Sequence, residues 1–364
     1  MLHIDVLNIK NFRNHSDTHL GFKKGVNVIW GENGSGKTAV LEAIYSLSMG
    51  RSFRTRNHKE TLKENEETLS LTGVFFNGAG EKEIQLRQIK SGKRKFFINK
   101  RELQKTKDLI GHNPTVLLSP EEQIITNGTP TDIRTFFDKV FSTISPNYLN
   151  ALIEYQKTLK QRNTAIRNVL KKRAGKKDIE AWNDPVVNSG KKVWKEKKEL
   201  LSLYCKHLLK LVDNYRDKSV NINIDYEEEG PTDTFEERLK KTLNSDLTRG
   251  YTTTGPHRDN YHIFYNEKLL KKYGSQGEHK IALVLMKMAE SNTIKHQTGK
   301  TPILLLDDVF AKLDFQRADD MLLLLKNGYQ TIITTTDIVK IEDHGIDLSS
   351  PDNTSFYLER ACKA

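Results

Sequence analysis

Gly31-Glu32-Asn33-Gly34-Ser35-Gly36-Lys37-Thr38 fits the phosphate-binding loop pattern G-x-x-x-x-G-K-[ST] at every fixed position. Ahead of it, Val26-Asn27-Val28-Ile29-Trp30 reads as a strand; behind it, Ala39-Val40-Leu41-Glu42-Ala43-Ile44-Tyr45 reads as a helix. This strand–loop–helix setting separates a working phosphate loop from a glycine-rich turn that merely feeds a helix. The glycines let the backbone curl until its N–H groups point inward as an anion nest, at the positive end of the helix. Lys37 is expected to reach the β- and γ-phosphates, and Thr38 to place its hydroxyl on Mg2+.

A nucleotide hydrolase needs a second Mg2+ ligand. The run Ile303-Leu304-Leu305-Leu306, ending in Asp307-Asp308, is the expected source. A buried parallel strand delivers its last side chain to the phosphate end of the sheet. Asp307 is assigned to the metal. Asp308 would point to the other side and orient, or take a proton from, the water attacking the γ-phosphate. The bland alternative is a pair of acids capping the next helix. If loop and acids serve one nucleotide, the first and last parts of the chain share one sheet.

The intervening sequence has a different character. Residues 1–118 read as mainly strand with one good helix, closed at Gly50, and residues 246–364 return to strand and helix. Between them, residues 119–245 carry apolar positions at helical spacing (Leu152, Tyr155, Leu159, then Ile166, Val169, Leu170), with Pro185 and Gly190 read as punctuation between two basic helices. The segment reads as a helical arm inserted between two halves of one head, too irregular for a long heptad coiled coil.

The 364 residues include 58 Lys or Arg against 47 Asp or Glu, a net charge of +11. From Tyr155 to Leu200 there are 14 basic against 5 acidic residues, so most of the excess sits in the arm. Such a stripe is an electrostatic footprint for phosphate backbones, although solvated lysine-rich helices are common. Lys171, Lys172, Arg173, Lys176 and Lys177 are the candidate DNA contacts. No apolar run approaches the roughly 20 residues that span a bilayer, so no membrane partner is expected. Met1-Leu2-His3-Ile4-Asp5 reads as the start of a strand rather than a targeting signal, and Cys205 and Cys362 have neither metal nor redox spacing. A cytoplasmic location is the simple expectation.

Lys272-Tyr273-Gly274-Ser275-Gln276-Gly277-Glu278 resembles the signature loop of ABC-type ATPases, ahead of an apolar helix and 32 residues before Asp307. Phe310-Ala311-Lys312-Leu313-Asp314 resembles the D-loop that follows the second acid. With these in place, the chain resembles the RecF family of bacterial recombination-repair ATPases, related to SMC heads. The resemblance runs through Leu7-Asn8-Ile9-Lys10-Asn11-Phe12-Arg13-Asn14, Gly50-Arg51-Ser52-Phe53-Arg54-Thr55, Ser119-Pro120-Glu121-Glu122, Arg134-Thr135-Phe136-Phe137-Asp138, Leu159-Lys160-Gln161-Arg162-Asn163, Gly255-Pro256-His257-Arg258-Asp259 and Gly274-Ser275-Gln276-Gly277. Ile133, Asn260 and Glu278-His279-Lys280 depart from the family pattern.

The resemblance implies an α/β fold: an ABC/SMC-type ATPase head, a mixed sheet with helices, carrying an inserted helical arm. It implies ATP and Mg2+ as cofactors. Gly31, Glu32, Asn33, Gly34, Ser35, Gly36, Lys37 and Thr38 would hold the nucleotide, Ser275 and Gly277 of a second copy would close on it, and Arg13 is a further candidate contact. Two heads would dimerise on ATP and act on double-stranded DNA at gapped junctions, with RecR and RecO as partners in loading recombinase. Weak, DNA-stimulated hydrolysis would separate the heads. Competing readings are a transporter-type ABC subunit and a structural clamp with little turnover. The 238 residues from Lys37 to Ser275, and Thr334-Thr335-Thr336 where transporters carry a switch histidine, stand against the transporter. No N-K-x-D motif supports a GTPase.

Overall fold

The computed structural model describes residues 1–364 except 79, 230–233, 309–327, 340–342, 344–345 and 361–364. The D-loop-like segment 310–314 and Cys362 therefore lie outside the described residues. The chain forms two compact units: Met1–Gln123 with Leu283–Ala364, and Ile124–Ala282.

In the first unit, β1 (His3–Phe12), β2 (His15–Gly21), β4 (Thr68–Phe76), β5 (Glu81–Ile89), β6 (Arg94–Ile98) and β7 (Arg101–Glu102) form an antiparallel sheet, ordered β2-β1-β4-β5-β6-β7. Its strands alternate: in β1 Ile4, Leu7, Ile9 and Phe12 are buried while Lys10 is exposed, as a half-solvated sheet requires. A second sheet is parallel, ordered β14-β3-β13-β12-β8, from β3 (Val26–Trp30), β8 (Thr115–Leu118), β12 (Ile303–Asp307), β13 (Thr331–Thr335) and β14 (Thr354–Tyr357). Every residue of β8, β12 and β13 is buried, which explains the apolar runs of β8 and β12, while β13 mixes two isoleucines with three threonines. The expectation that both ends of the chain share a sheet is met: Thr334 pairs with Ile29 on one side and Asp307 on the other.

Helix α1 (Lys37–Met49) lies against β1, β4 and β5 of one sheet and β8, β12 and β13 of the other. Twelve of its 13 residues are buried, so it has no amphipathic stripe to read. It ends where expected: Gly50 has φ +68° and its N–H donates to Ser46 O, an αL stop that only glycine adopts without a Cβ penalty.

The second unit contains α2 (Ile124–Asn127), α3 (Pro130–Ile144), α4 (Pro146–Leu170), α5 (Lys176–Glu180), α6 (Asn183–Asp213), α7 (Phe235–Lys241), α8 (Leu243–Arg249) and α9 (Leu270–Tyr273), with a small sheet β11-β10-β9 formed by β9 (Ile222–Glu227), β10 (Asn260–Tyr265) and β11 (Lys268–Leu269). Helix α10 (Gln276–Thr298) begins in this unit.

Two expectations are corrected. Pro185 and Gly190 do not divide two helices; both lie inside α6. Pro185 falls in the first turn, where its missing N–H costs nothing. A Cβ at Gly190 would stand 2.6 Å from the Phe235 ring, so this glycine permits close packing rather than a break. The boundaries also differ: the second unit starts at Ile124 and runs to Ala282, not to residue 245. β10 pairs antiparallel with β9, a strand inside the stretch read as helical, and Tyr261 stacks on Phe137 of α3 at 4.4 Å.

Candidate functional site

The loop after β3 is held from behind by the β1–β2 turn. Gly36 has φ +103° as the N-cap of α1, and a Cβ there would lie 2.5 Å from His15 Nε2 and 2.8 Å from the Asn14 amide. Asn14 Nδ2 donates to Gly34 O at 3.1 Å. His15 Nε2 lies 3.1 Å from Gly36 O; a carbonyl only accepts, so Nε2 carries the proton and Nδ1 accepts from Thr18 Oγ1 at 2.9 Å. Burial holds the His15 pKa below its ordinary value, consistent with this neutral tautomer. Sequence reading did not find His15: its signal was a histidine after Asn14, with nothing local to show that the turn folds onto the loop.

Lys37 Nζ donates to Gly31 O at 2.7 Å and Glu32 O at 2.8 Å. Burial lowers its pKa, against the opposing charges of Asp308 and Asp307. Thr38 Oγ1 donates to Asp307 Oδ1 at 2.9 Å, and Thr334 Oγ1 donates to the same oxygen at 2.6 Å. Burial raises the Asp307 pKa; the two hydroxyls oppose this, while Glu121 and Asp308 add to it. Asp308 sits in the αL region at φ +49°, its N–H shared between Thr334 O (3.2 Å) and Thr334 Oγ1 (3.0 Å). A non-glycine residue held there is unusual and needs a local cause, here the Thr334 grip.

These groups line a cleft of about 310 Å³, walled also by Arg13, Asn14, Asn33, Arg54 and Thr336. Ser35 Oγ and Asp308 Oδ1 are buried with no hydrogen-bond partner. Unpaired buried polar atoms are costly, and Asp308, on the wall of the cleft, fits a bound group that donates to its free oxygen; Ser35 is not among the residues lining the cleft. Arg13, expected as a further nucleotide contact, borders this cleft while its own hydrogen bonds run to the protein. Its Nε and Nη2 donate to the buried Glu42 carboxylate at 2.9 and 2.6 Å, and Nη1 donates to Glu60 O at 2.7 Å. Ser52 Oγ also donates to Glu42, at 2.5 Å. The Gly50–Thr55 segment is thus docked on α1, which brings Arg54 to the cleft wall.

In the second unit, Ser275 and Glu278 form a reciprocal cap at the start of α10: Glu278 N–H donates to Ser275 Oγ at 3.2 Å, and Ser275 N–H to Glu278 Oε2 at 2.7 Å. The signature-like Ser-Gln-Gly-Glu is therefore also a capping box, with Gly277 in the first turn. Lys171, Lys172, Arg173, Lys176 and Lys177 are all exposed, from the end of α4 into α5. Asp259, fully buried, accepts from Trp194 Nε1 at 3.0 Å, Lys197 Nζ at 2.7 Å, Tyr226 OH at 2.7 Å and Glu229 N–H at 3.2 Å. Arg162, also fully buried, bonds Asp246 at 2.7 Å and Thr252 at 2.8 Å. Gly255–Asp259 and Leu159–Asn163 thus knit the second unit internally.

A phosphate loop closed by an acid from a parallel strand of the same sheet, one strand removed, with an antiparallel sheet on the far side of its helix, defines an ATPase head of the ABC/SMC type. Residues 3–346 match the model of the RecF/RecN/SMC N-terminal domain family, and the chain is 34% identical over 360 residues to the DNA replication and repair protein RecF of Ruminiclostridium cellulolyticum, covering 96% of this chain and 95% of that protein. The chain belongs to the RecF family. It is 33% identical over 347 residues to RecF of Acetivibrio thermocellus, covering 92% and 94%. The solved RecF-ATPrS structure, described as a recombination mediator of the RecFOR pathway, superposes with a TM-score of 0.87 at 30% identity, over 99% of this chain and 96% of that one. The Smc head of Pyrococcus furiosus shares the fold, with a TM-score of 0.54 at 17% identity over 94% and 92% of the two chains.

Proposed function

We propose that this chain is an ATP-dependent DNA-binding protein of recombinational repair and replication restart, in which nucleotide occupancy times how long two copies stay together on DNA. The observation that carries the reading is the hydrogen bond from Thr38 to Asp307, which joins the phosphate loop to the acid closing β12. Full-length kinship with RecF proteins, one solved as RecF-ATP, supports the same reading.

Gly31 to Thr38 bind the triphosphate through backbone N–H groups, and Lys37 leaves the Gly31 and Glu32 carbonyls for the phosphate oxygens. Thr38 and Asp307, already sharing a hydrogen bond, are the metal-side groups. They would hold Mg2+, which when bound would supply positive charge against the triphosphate. Asp308, with one oxygen unpartnered, orients the attacking water and accepts its proton. Ser275 and Gly277 of a second copy contact the nucleotide from across the dimer, so that ATP favours the dimer only through contacts made in that state. Lys171, Lys172, Arg173, Lys176 and Lys177 contact the duplex at gapped junctions, and RecR and RecO are the partners. Hydrolysis is slow and DNA-stimulated, and it separates the copies. No described helix is long and apolar enough to cross a membrane; action on DNA in the cytoplasm is part of the proposal.

The test is mass measurement of Asp308→Asn with and without ATP and gapped duplex. The variant is expected to bind ATP and accumulate as a DNA-bound dimer with little phosphate release. A monomer under all conditions overturns the reading, and wild-type turnover moves the base elsewhere.

A further inference from the structure

The outer face of the antiparallel sheet carries a row of side chains set by strand register. Lys10 on β1 lies opposite Ser70 on β4, Ser70 opposite Arg87 on β5, and Arg87 opposite Lys95 on β6. Neighbouring strands are about 4.8 Å apart, so the row runs roughly 14 Å across the strands. Lys10, Arg87 and Lys95 are exposed, and Lys93 joins them from the turn before β6. Together with Ser70 and Ile89 they border a groove of about 510 Å³ whose lining includes no carboxylate.

Lys10 has a partner within the sheet, since it also lies directly opposite Asp17 on β2, but the fold gives Arg87, Lys93 and Lys95 no comparable reason. Arg87 and Lys95 are direct cross-strand partners, and like charges directly opposite one another destabilise a sheet. The local relief is partial: Lys95 pairs with Glu102 at 2.9 Å, Arg87 Nε donates to Gln85 Oε1 at 3.0 Å, and its guanidinium lies 5.1 Å from the Phe97 ring centroid. The arm cluster is different, because cations at the C-terminal end of α4 are stabilised by the helix dipole. A rule broken without an internal gain marks a surface built for something outside the chain. One strand pair further along, Asn8, Thr72 and Gln85 continue the surface as hydroxyl and amide groups. Cations flanked by such neutral donors are the usual phosphate-contacting set.

We infer that this sheet face is a second DNA contact, separate from the arm, binding the phosphate backbone through Lys10, Arg87 and Lys93. The inference rests on the DNA-binding reading above and deepens it.

The experiment compares wild type with a Lys10→Gln, Arg87→Gln, Lys93→Gln triple variant by fluorescence anisotropy on gapped duplex across a salt series, with ATP present. Loss of about three phosphate contacts should lower the salt slope by about 2 to 3 and weaken binding by about tenfold or more. ATP binding should be unchanged, and Tm should move little, because relief of the Arg87–Lys95 like-charge pair offsets loss of the Lys10–Asp17 cross-strand pair. Arg87→Lys should retain most of the slope. Wild-type affinity and slope in the triple variant overturn the inference. Should the triple variant melt lower, Lys93→Gln alone, outside the strands, decides in the same assay by keeping or losing about one unit of slope. Equal loss of binding to poly-glutamate and DNA reassigns the face to an acidic protein. Failure of the wild type to bind gapped duplex instead removes the DNA-binding reading.

Discussion

Thr38 and Asp307 are 269 residues apart in sequence and share a 2.9 Å hydrogen bond. Asp307 reaches that position because β12 and β3 both flank β13, and Thr334, on β13, bonds the same carboxylate oxygen. Removing the neighbouring cation should leave this scaffold standing while disabling phosphate binding. Lys37→Ala is expected to keep the wild-type circular dichroism spectrum, lose ATP binding and lose ATP-driven dimerisation in light scattering. A nucleotide-dependent dimer in that variant would refute the loop's role.

Replacing Lys171, Lys172 and Arg173 together with Ala should weaken binding to gapped duplex and flatten its salt dependence, by up to about 2.7 in log–log slope if each touches a phosphate. All three are exposed, so Tm should move little. An unchanged salt titration would return the arm charge to a solvated helix end.

The ion pair between Arg162 and Asp246 is buried on both sides. Arg162→Met leaves Asp246 charged, with only Thr253 donating to its other oxygen, and should cost about 3–5 kcal/mol in denaturant unfolding. Adding Asp246→Asn should recover much of that loss, since Asn can still accept from Thr253. A single variant within 1 kcal/mol of wild type, taken as roughly the ceiling for an exposed pair, would show that the pair is not structural.

His257 is held neutral, its pKa depressed to about 4 by burial, with Tyr155 OH at 2.6 Å from Nδ1. The unfolded chain takes up that proton near pH 6.5, so between about pH 6.5 and 4 the unfolded state binds more protons than the folded one. Stability should therefore be fully present above pH 6.5 and fall on acidification, by roughly 3 kcal/mol from this group across the window. His257→Gln should melt with a flatter pH profile over that range. Parallel profiles would mean that the histidine titrates normally.

What could be read in advance depended on how local the signal was. The phosphate loop and the acid closing β12 were legible because strand, loop and helix each leave a mark in neighbouring residues. The Asn14 and His15 clamp was not, because its partners are carbonyls some 20 residues away that carry no side-chain code. Ser275 shows the opposite difficulty: one tetrapeptide fits both a nucleotide signature and a helix cap, and the cap is the role its hydrogen bonds fill. The Gly255–Asp259 motif was visible as a motif. Its work was hidden, since Asp259 draws donors from α6, β9 and the loop after β9. Gly190 misled because packing against Phe235 and breaking a helix demand the same absent side chain.

Helix α1 has no free side: one sheet lies on each flank, and its interior contacts are close-packed. A rod gripped in this way cannot slide or tilt alone. Any shift at its phosphate end is a shift of both sheets, and the six-stranded one carries its solvent face along. A ligand that displaced the loop end of α1 would therefore have to move both sheets with it, and no local adjustment of the helix alone would serve.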